Sequence, residues 1–163
     1  MTDPTFRDLT PEECEALLAV NHVGRLAFSF KDRTDIEPIH YVFENGWIYG
    51  RTGEGSKLTT IGHHPYVAFE VDEVYGVFDW RSVVAHGTVY LLEPAGGAAN
   101  EAEYERAVEL LRRFLPKTFK PGDPVPFRTV MLGIHVDELQ GREARQAKRR
   151  RAHRDRSAEK SAK

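Results

Sequence analysis

The sequence predicts a mainly β protein with accessory helices, built as a small antiparallel barrel of six strands. Three observations predict it. Short runs of alternating apolar residues recur with barrel-like spacing at 24–30, 36–44, 47–51, 66–74, 80–93 and 129–139. Asn45-Gly46 joins two of these runs, and Asn-Gly between alternating segments is a strong hairpin signal because a type I′ turn needs positive φ at both central residues. Helical periodicity is confined to segments near 11–21, 56–64 and 100–115.

The elements follow in order. Residues 1–10 are polar, contain Pro4 and read as an arm. Thr10-Pro11-Glu12-Glu13 has the form of a helix start, with Thr10 as cap, Pro11 in the first position and Glu13 three residues after the cap. Leu17, Leu18 and Val20 supply its apolar face, and Cys14 reads as a small packed residue. In 24–30, Leu26, Phe28 and Phe30 share one face and the smaller Ala27 and Ser29 the other. Pro38 marks 36–44 as an edge strand or a bulge at that point. Pro65 ends the short helix. In 66–74, Val67, Phe69 and Val71 alternate with Ala68, Glu70 and Asp72, and Gly87 marks a bend or bulge in 80–93. Ala107, Leu110, Leu111 and Phe114 give the last helix its stripe, with Asn100 as the expected cap. Three prolines make 117–127 a loop, and Val130, Leu132, Ile134 and Val136 line one face of the last strand.

A chain of 163 residues suits one domain, 11–139, with the arm before it and a basic tail, 140–163, after it. Apolar side chains almost vanish in that tail, which predicts no fixed structure. Residues 142–163 hold ten Lys/Arg and three Asp/Glu, and 1–141 hold 13 and 22, so an acidic body (net −9) carries a basic tail (net +7). No run is long and apolar enough to span a membrane and the N-terminus lacks an export pattern; with the single Cys14, a cytoplasmic protein is expected. No Cys/His/Asp spacing makes a metal site, and adjacent His63 and His64 point apart at a helix end.

The stretch 38–57, PIHYVFENGWIYGRTGEGSK, carries the functional signal. Its hairpin ends in Arg51, a turn with Gly53 and Gly55 follows, and Ser56-Lys57 opens a helix. Two cations and free backbone N–H groups at a helix start suit a phosphate. Arg81, in an otherwise apolar strand, needs a partner: Glu70, Asp72 or a cofactor. Lys148-Arg149-Arg150-Arg151 is capable of holding nucleic acid or an anionic surface, but no base-reading motif accompanies it, and nucleic acid is not the expected partner.

GRLAFSF, the 38–57 stretch, HPYVAFEVDE and WRSVVAHGTVYLL, in that order, resemble the FMN-binding split-barrel family, which includes pyridoxamine 5′-phosphate oxidase and the nitroimidazole-resistance proteins. The resemblance implies a six-stranded antiparallel split β-barrel that forms a homodimer and holds FMN at the interface. It places the phosphate at Gly50, Arg51, Thr52, Ser56 and Lys57, and the flavin ring along Pro38, Ile39, His40 and Tyr41. Trp80, Arg81, Ser82 and Val83 close the site. True pyridoxamine phosphate oxidases are longer and carry Arg and Lys where this chain has Asp35 or Ile36 and His40; the pattern is closer to the nitroimidazole-resistance branch. The expected function is a flavin-dependent oxidoreductase of a small molecule, with no catalytic residue assigned. Two alternatives stand beside it: the same fold using a deazaflavin or haem, and a flavin carrier or sensor without turnover.

Overall fold

The computed structural model describes residues 3–146; the side chains of 30 and 56–59 lie outside that description. The elements run β1 (Thr5–Asp8), α1 (Pro11–Val20), β2 (Val23–Phe30), β3 (Arg33–Glu44), β4 (Trp47–Thr52), α2 (Ser56–His63), β5 (Tyr66–Gly76), β6 (Asp79–Leu92), α3 (Ala98–Arg112) and β7 (Val130–Arg145). The strands form one sheet in the order β1-β7-β4-β3-β2-β5-β6, and the further β7–β6 pairing closes it into a barrel. All described pairings are antiparallel.

Local chemistry explains the joints. Thr10 Oγ1 accepts from the Glu13 amide and the Glu13 carboxylate accepts from the Thr10 amide, a complete capping box. Asn45 (φ 50) and Gly46 (φ 79) take the two left-handed positions of the β3–β4 hairpin. Gly87 sits at the register shift between β6 and β7, where a Cβ would run into the His135 carbonyl oxygen. Pro38 pairs with Arg25 of β2, while β4 joins β3 only from Tyr41 onward, so the proline lies where β3 is an edge.

Two apolar layers result. Leu26, Phe69, Val71, Val83 and Ile134 fill the barrel, and Cys14, Leu17 and Leu18 of α1 close over them. Outside it, Ala107, Val108, Leu110 and Leu111 of α3 cover Val42, Tyr49, Leu92 and Met131. Arg106 clamps Glu44, at 2.7 Å from both carboxylate oxygens, and the Tyr49 hydroxyl donates to Glu103.

The structure departs from the sequence reading at both termini. The described residues form seven strands, because residues 5–8 of the supposed arm form β1 against the end of β7. The last strand runs past Leu139 to Arg145, pairing with β6 throughout. These segments lack an apolar rhythm because ions hold them: Arg7 Nε lies 2.6 Å from Glu143, and Arg7 also reaches Glu13 at 2.8 Å. Residues 147–163, most of the predicted tail, lie outside the described residues. The α3 cap is Gly97 rather than Asn100, whose side chain instead accepts from the Glu93 amide.

Candidate functional site

β3 alternates its side chains across the barrel wall. Ile39 and Tyr41 point inward: both are buried, Tyr41 meets Phe69 edge-on at 4.9 Å, and its hydroxyl donates to the Leu18 carbonyl at 2.6 Å. These two positions, expected beside a flavin ring, are core. Pro38 is exposed and His40 half-buried on the outer face, near Phe114 (6.4 Å between rings). His22 stacks on the same Phe114 at 4.5 Å and bonds the Tyr41 carbonyl through Nδ1.

Arg51 holds a different post from the one the sequence suggests. It is 3% exposed, and every nitrogen of its guanidinium is engaged. Nη2 and Nη1 meet the two Asp123 oxygens at 2.8 and 3.2 Å, Nε donates to the Arg128 carbonyl at 2.9 Å, and Nη2 also reaches the Val125 carbonyl. The Phe119 ring covers it at 4.2 Å. Asp123 also accepts from the Phe119 and Val125 amides. Hydrogen bonds from Arg51, outweighing burial, hold its carboxyl down to about 2. Arg51 therefore fastens the 117–128 loop over the end of β4 and faces no free anion.

That loop delivers a residue the sequence reading missed. Arg128 Nη2 donates to the Pro38 carbonyl at 3.2 Å, and burial followed by the neighbouring Arg51 charge lowers its pKa. Among the described residues, two buried side-chain nitrogens have no hydrogen-bond partner: Arg128 Nη1 and His40 Nδ1. His40 is also held below the ordinary histidine value, first by burial, then by Arg128 and Arg51. A half-buried guanidinium without a carboxylate, beside an unpartnered imidazole, is a poor arrangement for stability and a good one for an anionic or acceptor-rich ligand. Its only sequence signal is an Arg before the last strand, which gains meaning only when that strand folds against β4.

The turn after β4 adds backbone donors. Gly50 packs where a Cβ would press on the His40 carbonyl at 3.1 Å, and Gly53 where one would meet the Phe127 carbonyl at 3.1 Å. Gly55 (φ 145) precedes α2 as its cap and has no side chain with which to cap the helix-start amides. Thr52 is buried, its hydroxyl 3.5 Å from the Gly53 carbonyl. The side chains of Ser56 and Lys57 lie outside the described residues.

Trp80, Arg81, Ser82 and Val83 are not at this mouth. Arg51 is opposite Met131 at the start of β7, whereas Trp80 is opposite Ala144 at its end. Twelve strand residues lie between Met131 and Ala144, on the order of 40 Å along the chain. Arg81 pairs with Glu73 at 2.8 Å, while Glu70 and Asp72, its expected partners, bind Arg25 at 3.1 and 2.6 Å. Ser82 donates to Glu70 at 3.0 Å, Val83 is core, and Trp80 lies 6.4 Å from Phe6. No group of three or more His, Cys, Asp or Glu side chains among the described residues is placed to hold a metal ion.

A closed antiparallel barrel with a helix on one flank is the split-barrel architecture. The chain belongs to the pyridoxamine 5′-phosphate oxidase family, whose model matches residues 10–143. A Mesorhizobium loti protein described as FAD-binding is 24% identical, with a TM-score of 0.71 over 88% of this chain and 100% of its own. The FAD-binding protein of Mycobacterium smegmatis is 26% identical, with a TM-score of 0.60 over 85% of this chain and 98% of its own. A candidate 5-nitroimidazole antibiotic resistance protein of Bacteroides thetaiotaomicron is 18% identical, with a TM-score of 0.64 over 86% and 88%. At their identities, the first and third bear on the fold alone. No helix among the described residues is long and apolar enough to cross a membrane.

Proposed function

We propose that this chain binds FMN at the mouth between β3, the β4–α2 turn and the 117–128 loop, and serves as a flavin-dependent oxidoreductase of a small molecule. The observation that carries this is the pair of unpartnered buried nitrogens, Arg128 Nη1 and His40 Nδ1, in a family whose fold is a flavin-binding one. The residues fit the group. Arg128 and the amides at the start of α2 suit its phosphate, with Ser56 and Lys57 assigned from sequence; Pro38 and His40 border its ring. Bound flavin supplies the hydride or electron chemistry. The chain's own part is to hold the phosphate, keep water from the ring with Phe114, and offer His40 as a neutral imidazole able to give or take a hydrogen bond.

The homodimer belongs to the same proposal. Trp80 and Ser82 pair with the end of β7 opposite to the one that faces Arg51, so a second copy would be what brings them to a mouth. FAD is the second reading, favoured by the Mycobacterium smegmatis protein described as FAD-binding. The test is the visible spectrum of the purified protein, followed by titration with FMN and FAD. A flavin band with tighter FMN binding is expected; tighter FAD binding selects the second reading, and no binding of either overturns both. Reduction of the bound flavin by a nicotinamide donor and reoxidation by an acceptor distinguishes an enzyme from a carrier.

A further inference from the structure

Phe127 stands in the open at the rim of the mouth. It is 67% exposed, at a turn corner where small polar residues are the rule. The turn is 125–128: the Arg128 amide donates to the Val125 carbonyl at 3.0 Å, and Pro126, in the second position, restricts the backbone just before the phenylalanine. Arg51 and Asp123 clamp this turn. The Val125 amide donates to Asp123 at 3.0 Å, its carbonyl also accepts from Arg51 Nη2 at 3.3 Å, and the Arg128 carbonyl accepts from Arg51 Nε at 2.9 Å. Across from it the Phe127 carbonyl abuts Gly53, where a Cβ would lie 3.1 Å away. The Arg128 guanidinium lies 5.9 Å from the centre of the Phe127 ring, so an aromatic face and a cation share one edge of the mouth. A ring that gains little from the core is thus held rigidly in solvent, beside a guanidinium with an orphaned nitrogen.

We propose that Phe127 is a stacking platform for the adenine of a flavin dinucleotide, and so the residue that sets how the mouth weighs FAD against FMN. The inference rests on the flavin reading above, in which Arg128 meets the phosphate. FMN ends at that phosphate, whereas FAD continues past it through a second phosphate and a ribose to a purine. The continuation starts beside Arg128, and Phe127 is the adjoining residue. A purine laid on an exposed aromatic ring covers both faces without needing a hydrogen-bond pattern. A turn already held in place adds little ordering cost when the ligand arrives. FMN lacks the adenosine half and has nothing to lay on Phe127.

The test is calorimetric titration of the full chain and three variants with FMN and FAD, with AMP as a flavin-free probe followed by NMR line broadening. F127A should weaken FAD binding roughly tenfold and leave FMN within about twofold. F127W should restore FAD binding and F127L should not, because the stack needs an aromatic face. All three should melt as the wild type does, since the side chain is exposed. AMP should bind the wild type and F127W but not F127A. An equal loss of FMN and FAD in F127A overturns the proposal, as do a FAD-to-FMN ratio unchanged by F127A, full FAD binding by F127L, and AMP binding indifferent to F127A. If no flavin binds while AMP binding is lost in F127A, the flavin reading fails and the platform stands as a site for a purine nucleotide. If neither flavin nor AMP binds, both fail.

Discussion

Asp123 grips Arg51 with both carboxylate oxygens, at 2.8 and 3.2 Å, and neither side chain is more than 6% exposed. The pair joins the end of β4 to a loop more than seventy residues further on, and the carbonyl of Arg128 is bonded to the same guanidinium. The cation that local sequence assigns to a phosphate is thus the anchor for another cation, Arg128, that reaches the mouth.

Removing the carboxylate charge should loosen both. D123N leaves a buried guanidinium uncompensated, which costs about 3 kcal/mol. A fall in melting temperature of roughly 10 °C is expected, with weaker FMN binding because Arg128 loses its tether. Thermal melts and flavin titration of the same sample check it. Tighter FMN binding in D123N would show that Asp123 competes with the phosphate for Arg51.

The pH dependence of this anchor has a defined sign. Asp123 is depressed to about 2, so its contribution is present above the ordinary carboxylate value near about 4 and is lost as pH falls through about 2. Carbon-13 NMR of the Asp123 carboxyl should show it ionised throughout mild acid. A midpoint near the ordinary value would mean that the loop is not fastened in solution.

Arg128 should show the opposite balance of stability and binding. Among the described residues its charge has no carboxylate partner and one nitrogen is orphaned, so R128Q should change stability by less than about 1 kcal/mol. Loss of a charge-assisted bond to the flavin should weaken FMN binding by about 2 kcal/mol, roughly thirtyfold. A variant that melts early yet binds FMN normally would remove Arg128 from the site.

What the sequence made legible, and what it hid, divides by range. The Thr10–Glu13 box, the Asn45-Gly46 turn and the edge at Pro38 are local chemistry and appear as read. β1 and the end of β7 went unseen because Arg7 and Glu143, separated by 136 residues, replace the apolar alternation that marks a strand. The pairing of Arg25 with Glu70 and Asp72, leaving Glu73 to Arg81, depends on which strands are neighbours. Arg128 beside Pro38 depends on the same long-range closure. Within 38–57, read from sequence as a phosphate and flavin site, Ile39 and Tyr41 turn inward because strand alternation sends every second residue into the barrel.

Gly87 offers a test of the closure itself. It sits where β6 and β7 shift register, and a Cβ would strike the His135 carbonyl oxygen and press on Ile134. G87A should cost about 2 kcal/mol, since backbone must move to relieve the contact. The mouth lies elsewhere, so flavin affinity at low temperature should stay near wild type. Loss of stability with retained binding supports the bulge as a structural hinge of the barrel; unchanged stability would mean that the register differs from the one described.

His40 gives the most direct reading of the mouth. Burial, with Arg128 and Arg51 nearby, lowers its pKa, so the folded state prefers the neutral imidazole. That preference adds stability above the ordinary histidine value of about 6.5 and is lost as pH falls below it. NMR titration of the ring should therefore find a midpoint below that of free histidine. A flavin phosphate placed near Arg128 offsets the positive charge that depresses His40, so FMN should move the midpoint upward, and FMN should in turn bind more tightly as pH falls through it. A His40 midpoint indifferent to saturating FMN would place the phosphate away from Arg128.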